Sequence, residues 1–481
     1  MKQIILIFCF LFLKYGFAQY TQIPDTNFEQ ALIDLGIDND GLNGQFLTAN
    51  AIGITTLNVD EKNISDLTGI EAFIDLEQLF AASNNLESID LSLVPIDLFT
   101  LDLFNNNLSE IDLSYVPQIV NLYLGSNNFT SIDASNLSNL FIFHLSNQNI
   151  TNLNLTNCTN LFSLGCVETS LQYIDLTTCS NLAYLTAHSS QLTSLDLSGN
   201  QEIEEIHCYN NPLTSINLPN NPNLEYLGIG DTLLTSLDLT NCPGLIDLRY
   251  ANMLFTQLDL SNNGNLEVLL GPNSQLTSLD TSQNPSLRNI WLANNNIGGS
   301  LNFNNNPLLV DAILDRNVFE EADFSQNPLL EHVAIDDNPN LQFVNMQNGF
   351  NEDLIVFVAI DCPALSCVVV DDPLAANDNM YVDPHTTLVG NIEDCDNLSI
   401  GENELQNLFS IYPNPVKDVL TIKSDSSHEI TFLTIFNLLG EMILSKTENF
   451  NQIDLSSLRS GVYFLKVNTD AGIITMKLVK N

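Results

Sequence analysis

The sequence predicts a β-rich coil of about fourteen stacked units, followed by a small antiparallel β-sandwich. Three observations in the 481 residues carry that reading: a recurrence every 21 or 22 residues, a short apolar leader, and a change of charge balance near residue 409. Hydrophobic residues make up 44% and the mean hydropathy is +0.09. A disordered acidic chain would be poorer in apolar side chains. The 58 acidic against 13 basic residues give a net charge of −45, which excludes nucleic acid and anionic membrane surfaces as partners, because phosphate binding needs clustered Lys and Arg.

The amino terminus opens Met1-Lys2, runs through an apolar stretch from Ile4 to Leu13, and closes with Gly16-Phe17-Ala18. A charged start, a short apolar core and a small-x-small end match a secretory signal peptide, here residues 1–19, too short to span a bilayer. No later stretch is apolar and long enough to suggest a transmembrane segment. Residues 20–53 are expected to cap the coil. Pro24-Asp25-Thr26-Asn27-Phe28-Glu29-Gln30-Ala31-Leu32 predicts a capped amphipathic helix with Phe28, Leu32 and Leu35 on one face.

The repeat spans residues 54–362. An x-L-D-L pattern recurs with its middle residue at Asp90, Asp112, Asp133, Asn154, Asp175, Asp196, Asn217, Asp238, Asp259, Asp280, Asn302, Asp323 and Asn345. One unit shows the apolar spacing: Leu224, Leu227, Ile229, Leu234, Leu237 and Leu239. Each of the two L-x-L pieces has period two, so every unit holds two short extended segments joined by turns. A unit cannot fold alone. Burying six such side chains yields roughly 9–18 kcal/mol, while ordering about 21 residues costs roughly 20–40 kcal/mol. Neighbours must cover its open faces, and the chain becomes a one-dimensional stack.

The pattern Leu98-Leu101-Leu103-Asn106-Leu108 resembles the leucine-rich repeat, L-x-x-L-x-L-x-x-N-x-L. The tail of each unit is similar to the short bacterial 21-residue, IRREKO-type subclass, and the first unit, Ile54 to Ile70, is closer to internalin-type repeats. The resemblance implies a right-handed leucine-rich-repeat solenoid. Asn84, Asn106, Asn127, Asn211, Asn295, Asn317 and Asn338 take the family's asparagine position, where an amide satisfies backbone groups at the turn. Gln148, Thr169, Ser190, Thr232, Met253 and Ser274 replace it elsewhere.

The cysteines read in register. Cys158, Cys179 and Cys242 lie four residues after the Asp/Asn beat, where other units place Asn200, Asn221, Asn263, Asn284, Asn306 and Asn327. Cys166 and Cys208 fall on inward leucine positions. All five are expected to behave as small apolar side chains, and the absence of C-x-x-C knuckles argues against zinc. A Cys158–Cys179 disulfide across adjacent coils is an alternative in an exported protein. Residues 363–396 are expected to form a C-terminal cap, stapled by one disulfide among Cys362, Cys367 and Cys395; Cys367–Cys395 is the first choice.

After a polar linker at 397–408 the charge changes. Residues 409–481 hold seven acidic and seven basic side chains, against 51 acidic and 4 basic in 19–408. Alternating segments at Val419–Ile422, Ile430–Ile435, Met442–Leu444, Val462–Val467 and Ile473–Leu478 predict a small antiparallel sandwich. Tyr412-Pro413-Asn414-Pro415, Asp454-Leu455-Ser456-Ser457-Leu458, Gly461-Val462-Tyr463 and Lys477-Leu478-Val479-Lys480 together resemble the type A sorting domain of type IX secretion. The resemblance implies export by that machinery to the outside or the outer-membrane surface of a Gram-negative, Bacteroidota cell, with Pro413, Asn414, Pro415, Gly461, Tyr463, Lys477 and Lys480 as sorting residues.

No catalytic constellation is legible, and no cofactor is implied. His144, His188, His207, His332, His385 and His428 are scattered. His144 and His207 share a repeat position but lie three coils, or about 15 Å, apart. The first strand's outward residues vary instead: Phe80, Asp102, Tyr123, His144, Gly165, Thr186, His207, Gly228, Arg249, Leu270 and Trp291. With Tyr184, Glu205, Tyr209, Tyr226 and Asp247 beside them, these aromatics, carboxylates and an arginine suit contacts with a protein or a glycan. The ligand-binding candidates are therefore Tyr184, Glu205, His207, Tyr209, Tyr226, Asp247, Arg249 and Trp291, on what is expected to be a monomeric, non-enzymatic adhesion or binding protein. The alternative is a structural or calcium-responsive surface component using the Asp ladder at Asp238, Asp259 and Asp280, since carboxylates at ~5 Å repel by about 0.8 kcal/mol per pair in water and a cation would relieve that.

Overall fold

A computed structural model describes residues 19–349, 354–376, 379–398, 409–424, 430–437, 442–469 and 472–481. The expected signal peptide up to residue 18 and most of the expected linker lie outside the described residues. The chain divides into two units, one comprising residues 1–297 and 305–314, the other 298–304 and 315–481.

In the first unit, Tyr20–Gln22 pairs antiparallel with Gln45–Leu47 and a helix spans Thr26–Asp34. Asp25 caps that helix, its Oδ1 accepting the Asn27 and Phe28 N–H groups at 2.8 and 3.0 Å. Its Oδ2 accepts the Ser65 N–H and hydroxyl, each at 2.7 Å, so one carboxylate both starts the helix and ties it to the first repeat. Burial raises the pKa of Asp25, but the hydrogen bonds from Ser65, Phe28 and Asn27 outweigh it and the net shift is downward. Phe28, Ala31 and Leu32 are buried as the pattern predicts. Leu35 is not; it falls past the last turn as the C-cap and is 49% exposed.

From Thr56–Asn58 to Asp311–Ile313 the first L-x-L pieces form one parallel sheet in which each strand pairs with the next coil in register. Leu79, Leu101, Leu122, Phe143 and Leu164 stand opposite one another down the interior, all buried. Of the apolar positions in the sample unit, Leu224, Leu227, Ile229, Leu234 and Leu239 are buried, while Leu237 is only half-buried.

The second piece departs from the expected strand. It pairs at Ser131–Asp133 with Asn152–Asn154 and at Ser194–Asp196 with Ser215–Asn217. After Asp90 and Asp112 the chain instead enters single-turn 3-10 helices, Leu91–Leu93 and Leu113–Tyr115. What recurs, except at Asn217 where Pro219 has no N–H, is the turn itself. The beat side chain accepts the N–H two residues on at about the same distance in each case: Ser92 to Asp90, Ser114 to Asp112, Thr156 to Asn154 and Ser198 to Asp196, at 3.0 to 3.1 Å. An Asx turn tolerates either neighbour conformation.

Each coil also turns through one left-handed residue, including Ser83, Asn105, Ser126, Asn147, Ser189, Asn210 and Asn294, with φ between 55° and 62°. Asparagine and other small polar residues reach this region at least cost. The next residue takes the family's asparagine position. Asn84 accepts the Lys62 and Ile64 N–H groups and donates to the Val59 and Ala81 carbonyls, at 2.9 to 3.1 Å. Asn127 repeats this toward Leu108, Leu103 and Leu124.

In the second unit, parallel pairing continues in Ser300–Asn302, Glu321–Asp323, Phe343–Asn345, Cys367–Val369 and Thr387–Val389, and Val356–Ala359 pairs with Met380–Val382. Coiling thus runs on past residue 362 into the segment expected to cap it. Cys367 and Cys395 form a disulfide with Cα atoms 5.7 Å apart. Cys362 is free and buried, and it occupies the asparagine column, following left-handed Asp361 and placing Sγ 3.3 Å from the Ile335 carbonyl oxygen. It belongs to the repeat and not to the cap.

Two of the remaining cysteines, Cys158 and Cys242, correct the reading as plain apolar residues. Cys158, Cys166, Cys179, Cys208 and Cys242 are buried and free, so Cys158 and Cys179 are not bridged. Cys158 Sγ donates to the Ala134 carbonyl at 3.3 Å and Cys242 Sγ to the Pro219 carbonyl at 3.8 Å. At the equivalent position Asn284 Nδ2 reaches the Leu260 and Asn263 carbonyls at 3.0 and 2.8 Å, while the Oδ1 atoms of Asn200, Asn263 and Asn284 have no partner. In those coils the position uses a donor alone, which is why cysteine and asparagine interchange there, although Asn221 and Asn306 also accept the Asn223 N–H and the Thr281 hydroxyl. Burial pushes the thiols of Cys158, Cys166 and Cys208 up to about 12.

The carboxyl-terminal residues form two antiparallel sheets. One contains Phe409–Tyr412, Val419–Ser424 and Gln452–Asp454; the other orders Met442–Lys446, Ile430–Phe436, Gly461–Thr469 and Gly472–Lys480. Both sheets contribute to one core that includes Leu420, Ile422, Leu433, Ile435, Leu465 and Leu478. Sequence alternation located five of these strands and missed Phe409–Tyr412 and Gln452–Asp454, which are short or flanked by Pro and Asn.

Candidate functional site

The outward face of the first-strand sheet is ordered by register. Residues flanking each buried central residue point away from the core, as in Glu205-Ile206-His207, where only Ile206 is buried. Five predicted residues meet across three adjacent strands. Glu205–His207 pairs with Tyr226–Gly228, which pairs with Asp247–Arg249. Gly228 carries no side chain, and the Tyr226 ring fills the space above it; a Cβ there would lie 3.0 Å from the tyrosine hydroxyl.

The Tyr226 ring is held between two partners. His207 stacks on it with centroids 4.3 Å apart and planes at 25°. The Arg249 guanidinium lies 5.5 Å from its centroid, within cation–π range. Asp247 grips that guanidinium in a fork, with Nε–Oδ1 at 3.0 Å and Nη2–Oδ2 at 2.9 Å. The hydrogen bond to Asp247 raises the Arg249 pKa, and burial raises that of Tyr226. His207 Nε2 lies 3.1 Å from Glu205 Oε2.

The other three candidates lie outside this group. Tyr209 stacks on His188 at 4.3 Å and 9°. Tyr184 donates its hydroxyl to Glu204 at 2.6 Å and meets Phe162 edge-on at 5.2 Å. Phe162 in turn stacks on Phe141, and these rings line an open groove of about 660 Å³ with Asn160 and Glu202. Trp291 is 49% exposed and sits two strands beyond Arg249, across Leu270.

Sequence reasoning missed a hollow of about 340 Å³ on the same face, bounded by Asp102, Phe104, Tyr123, Gly125, His144, Ser146, Gly165, Val167 and Thr186. Two glycines two coils apart, on rows two residues apart, were the available signal. Their meaning depends on where neighbouring rings turn.

The Asp ladder has a local explanation. Asp238, Asp259 and Asp280 each accept the N–H of the residue two ahead, Thr240, Ser261 and Ser282, at 2.9 to 3.0 Å. Those hydrogen bonds lower all three pKa values. Among the described residues no three His, Cys, Asp or Glu side chains converge to hold a metal ion.

In the sorting segment, Asn414 donates to the Lys477 carbonyl at 2.7 Å and accepts the Val479 N–H at 2.8 Å, clamping the last strand. Pro413 and Pro415, on either side, both follow cis peptide bonds. Tyr463, two residues after Gly461, donates to the Arg459 carbonyl at 3.0 Å, and Lys480 Nζ reaches the Asn481 carbonyl.

The coil has the fold of a leucine-rich-repeat solenoid, and the chain ends in an antiparallel β-domain. Residues 410–481 match the family described as the secretion system C-terminal sorting domain. A comparison with curated proteins gives no match. Among solved structures, the functional domain of InlJ from Listeria monocytogenes, described as including a cysteine ladder, is similar with a TM-score of 0.57 at 18% identity, covering 96% of this chain and 99% of that one. An internalin from Listeria monocytogenes, inlF, gives 0.51 at 20% identity, covering 75% and 95%. A leucine-rich-repeat protein of Leptospira interrogans gives 0.54 at 16%, covering 70% and 97%. These likenesses establish the fold. The sorting domain marks the chain as exported, for display at the cell surface or release. No helix of the described residues is long and apolar enough to cross a membrane.

Proposed function

We propose that this chain is a non-enzymatic binding or adhesion protein that recognises a protein or glycan through the outward face of its first-strand sheet. Residues 1–19 would direct it out of the cytoplasm, and the 409–481 domain would engage the type IX machinery of a Bacteroidota cell, bringing it as a monomer to the outer-membrane surface or the medium.

The observation that carries this reading is the contrast between columns. Positions that serve the fold repeat Asn, Asp or Leu from coil to coil. The strand face changes residue at every coil and concentrates aromatic and charged groups at Glu205, His207, Tyr226, Asp247 and Arg249. Such groups are enriched where proteins bind one another. A calcium-bridged ladder draws no comparable support, because turn capping accounts for the Asp column without a cation.

The test is binding of the purified mature protein to glycan and protein arrays. A ligand should be retained by the wild type and weakened about tenfold or more by Tyr226→Ala, the loss expected of a binding hot spot. Trp291→Ala asks whether the face extends two coils further. An array without hits would sink the reading.

A further inference from the structure

We propose that the hollow between Asp102 and Thr186 seats one basic side chain, a lysine or arginine, of a polypeptide partner. The inference rests on the strand-face reading above and specifies the chemistry of a place on that face which the ring cluster does not include. Asp102, Tyr123, His144, Gly165 and Thr186 stand in register on five adjacent strands. Two residues on, Phe104, Gly125, Ser146 and Val167 form the neighbouring row.

The floor is made by two glycines, and space is what requires them. Neither Gly125 nor Gly165 has left-handed backbone, but a Cβ on Gly165 would lie 3.0 Å from the His144 ring. One on Gly125 would lie 3.2 Å from the Phe104 ring and 3.0 Å from the Ser146 carbonyl oxygen. Phe104, 41% exposed, and Tyr123, edge-on to His144 at 5.4 Å and 81°, supply the walls. A cation within about 6 Å of such rings is attracted to their faces.

The polar atoms here are not spent on one another. Asp102 Oδ1 accepts the Phe104 N–H at 3.0 Å. Among the described residues, Asp102 Oδ2, the Tyr123 hydroxyl and both His144 ring nitrogens have no hydrogen-bond partner. At the ring cluster, by contrast, Asp247 holds Arg249 and Glu205 meets His207.

Charge selects the occupant. No Lys or Arg occurs between Lys62 and Arg249, so nothing basic from these coils already sits in the hollow. Burial disfavours the charge of Asp102 and keeps His144 below its ordinary value, hence neutral near pH 7. An incoming cation offsets the burial of Asp102, whereas an anion meets Asp102 and the field of an acidic chain. The hollow is open and crosses five strands, about 20 Å. A lone small cation would leave most of it uncovered, while an extended polypeptide can lie along it.

The experiment titrates a hexalysine peptide into the full chain by calorimetry at about 0.15 M salt, where distant charges are screened. Asp102→Asn, Tyr123→Ala and Gly165→Val are each expected to weaken binding about tenfold, the scale of a desolvated cation–π or charge-assisted contact. Asp112→Asn removes the same charge from the turn column, where other coils already carry asparagine, and should change affinity less than about twofold. Melting curves confirm that each variant folds. Equal weakening by Asp102→Asn and Asp112→Asn, an unaffected Tyr123→Ala, or no hexalysine binding overturns the proposal. Maltohexaose binding lost in Tyr123→Ala, without hexalysine binding, also overturns it while leaving strand-face recognition standing.

Discussion

Two buried polar columns run through the repeats, and they differ in how much hydrogen bonding each residue supplies. The family asparagine both accepts and donates: Asn127 takes the Leu108 N–H and gives to the Leu103 and Leu124 carbonyls. The second column chiefly donates, only Asn221 and Asn306 also accepting, and there asparagine alternates with cysteine. Tolerance at a buried polar site follows the number of backbone groups that lose their partner, because an unmade buried hydrogen bond costs more than a made one contributes.

Replacing Asn127 by Leu should sharpen this most, lowering unfolding free energy in urea by about 3 kcal/mol, since the Leu108 N–H is left buried without a partner and the Leu103 and Leu124 carbonyls each lose a donor, keeping those of Asn106 and Gln148. Asn284→Leu should cost about 1.5 kcal/mol by the same measurement, because only two carbonyls lose a donor and an unpartnered Oδ1 disappears. Equal losses for the two would break the comparison.

The exposed Asp column gives a smaller, pH-dependent effect. Hydrogen bonds from the following Ser or Thr hold Asp112, Asp133, Asp175 and Asp238 below the ordinary carboxylate value. A folded pKa below the unfolded one, about 3.9, means stabilisation is present above that value and lost as pH falls through the folded pKa. The melting temperature should therefore drop between about pH 4.5 and 2.5. Asp175→Asn with Asp238→Asn should flatten that fall, since Asn154 makes the same cap to Thr156. The smallest change is expected of Cys158→Asn, within about 0.5 kcal/mol, because the donor is retained.

Much of this was legible in the sequence, and the reasons are local. Leucine spacing marked the interior, the recurring asparagine marked the turn, and fading of the pattern near Cys367 and Cys395 placed the disulfide that the structure contains. Around residue 362 the pattern was lost because Val356–Ala359 before it and Cys367–Val369 after it replace leucine with β-branched, aromatic and small residues while still pairing in parallel. On the face, the varied row was visible, but its division was not. Alternation says that Tyr184 and Tyr226 point outward; it does not say that one turns to Glu204 and the other is caught between His207 and Arg249. Nor does a glycine in a strand disclose a hollow until Phe104 and His144 are seen leaning over Gly125 and Gly165.

The amide of Asn127 reaches the Leu103 carbonyl in the previous turn as well as the Leu124 carbonyl in its own, and Asn211 treats Ala187 and Cys208 identically. Joins built on asparagine are thus chemically alike. A genetic duplication or excision of one whole repeat leaves newly adjacent turns able to mate without redesign, so the extent of the recognition surface can evolve in steps of about 5 Å while its chemistry is revised one turn at a time.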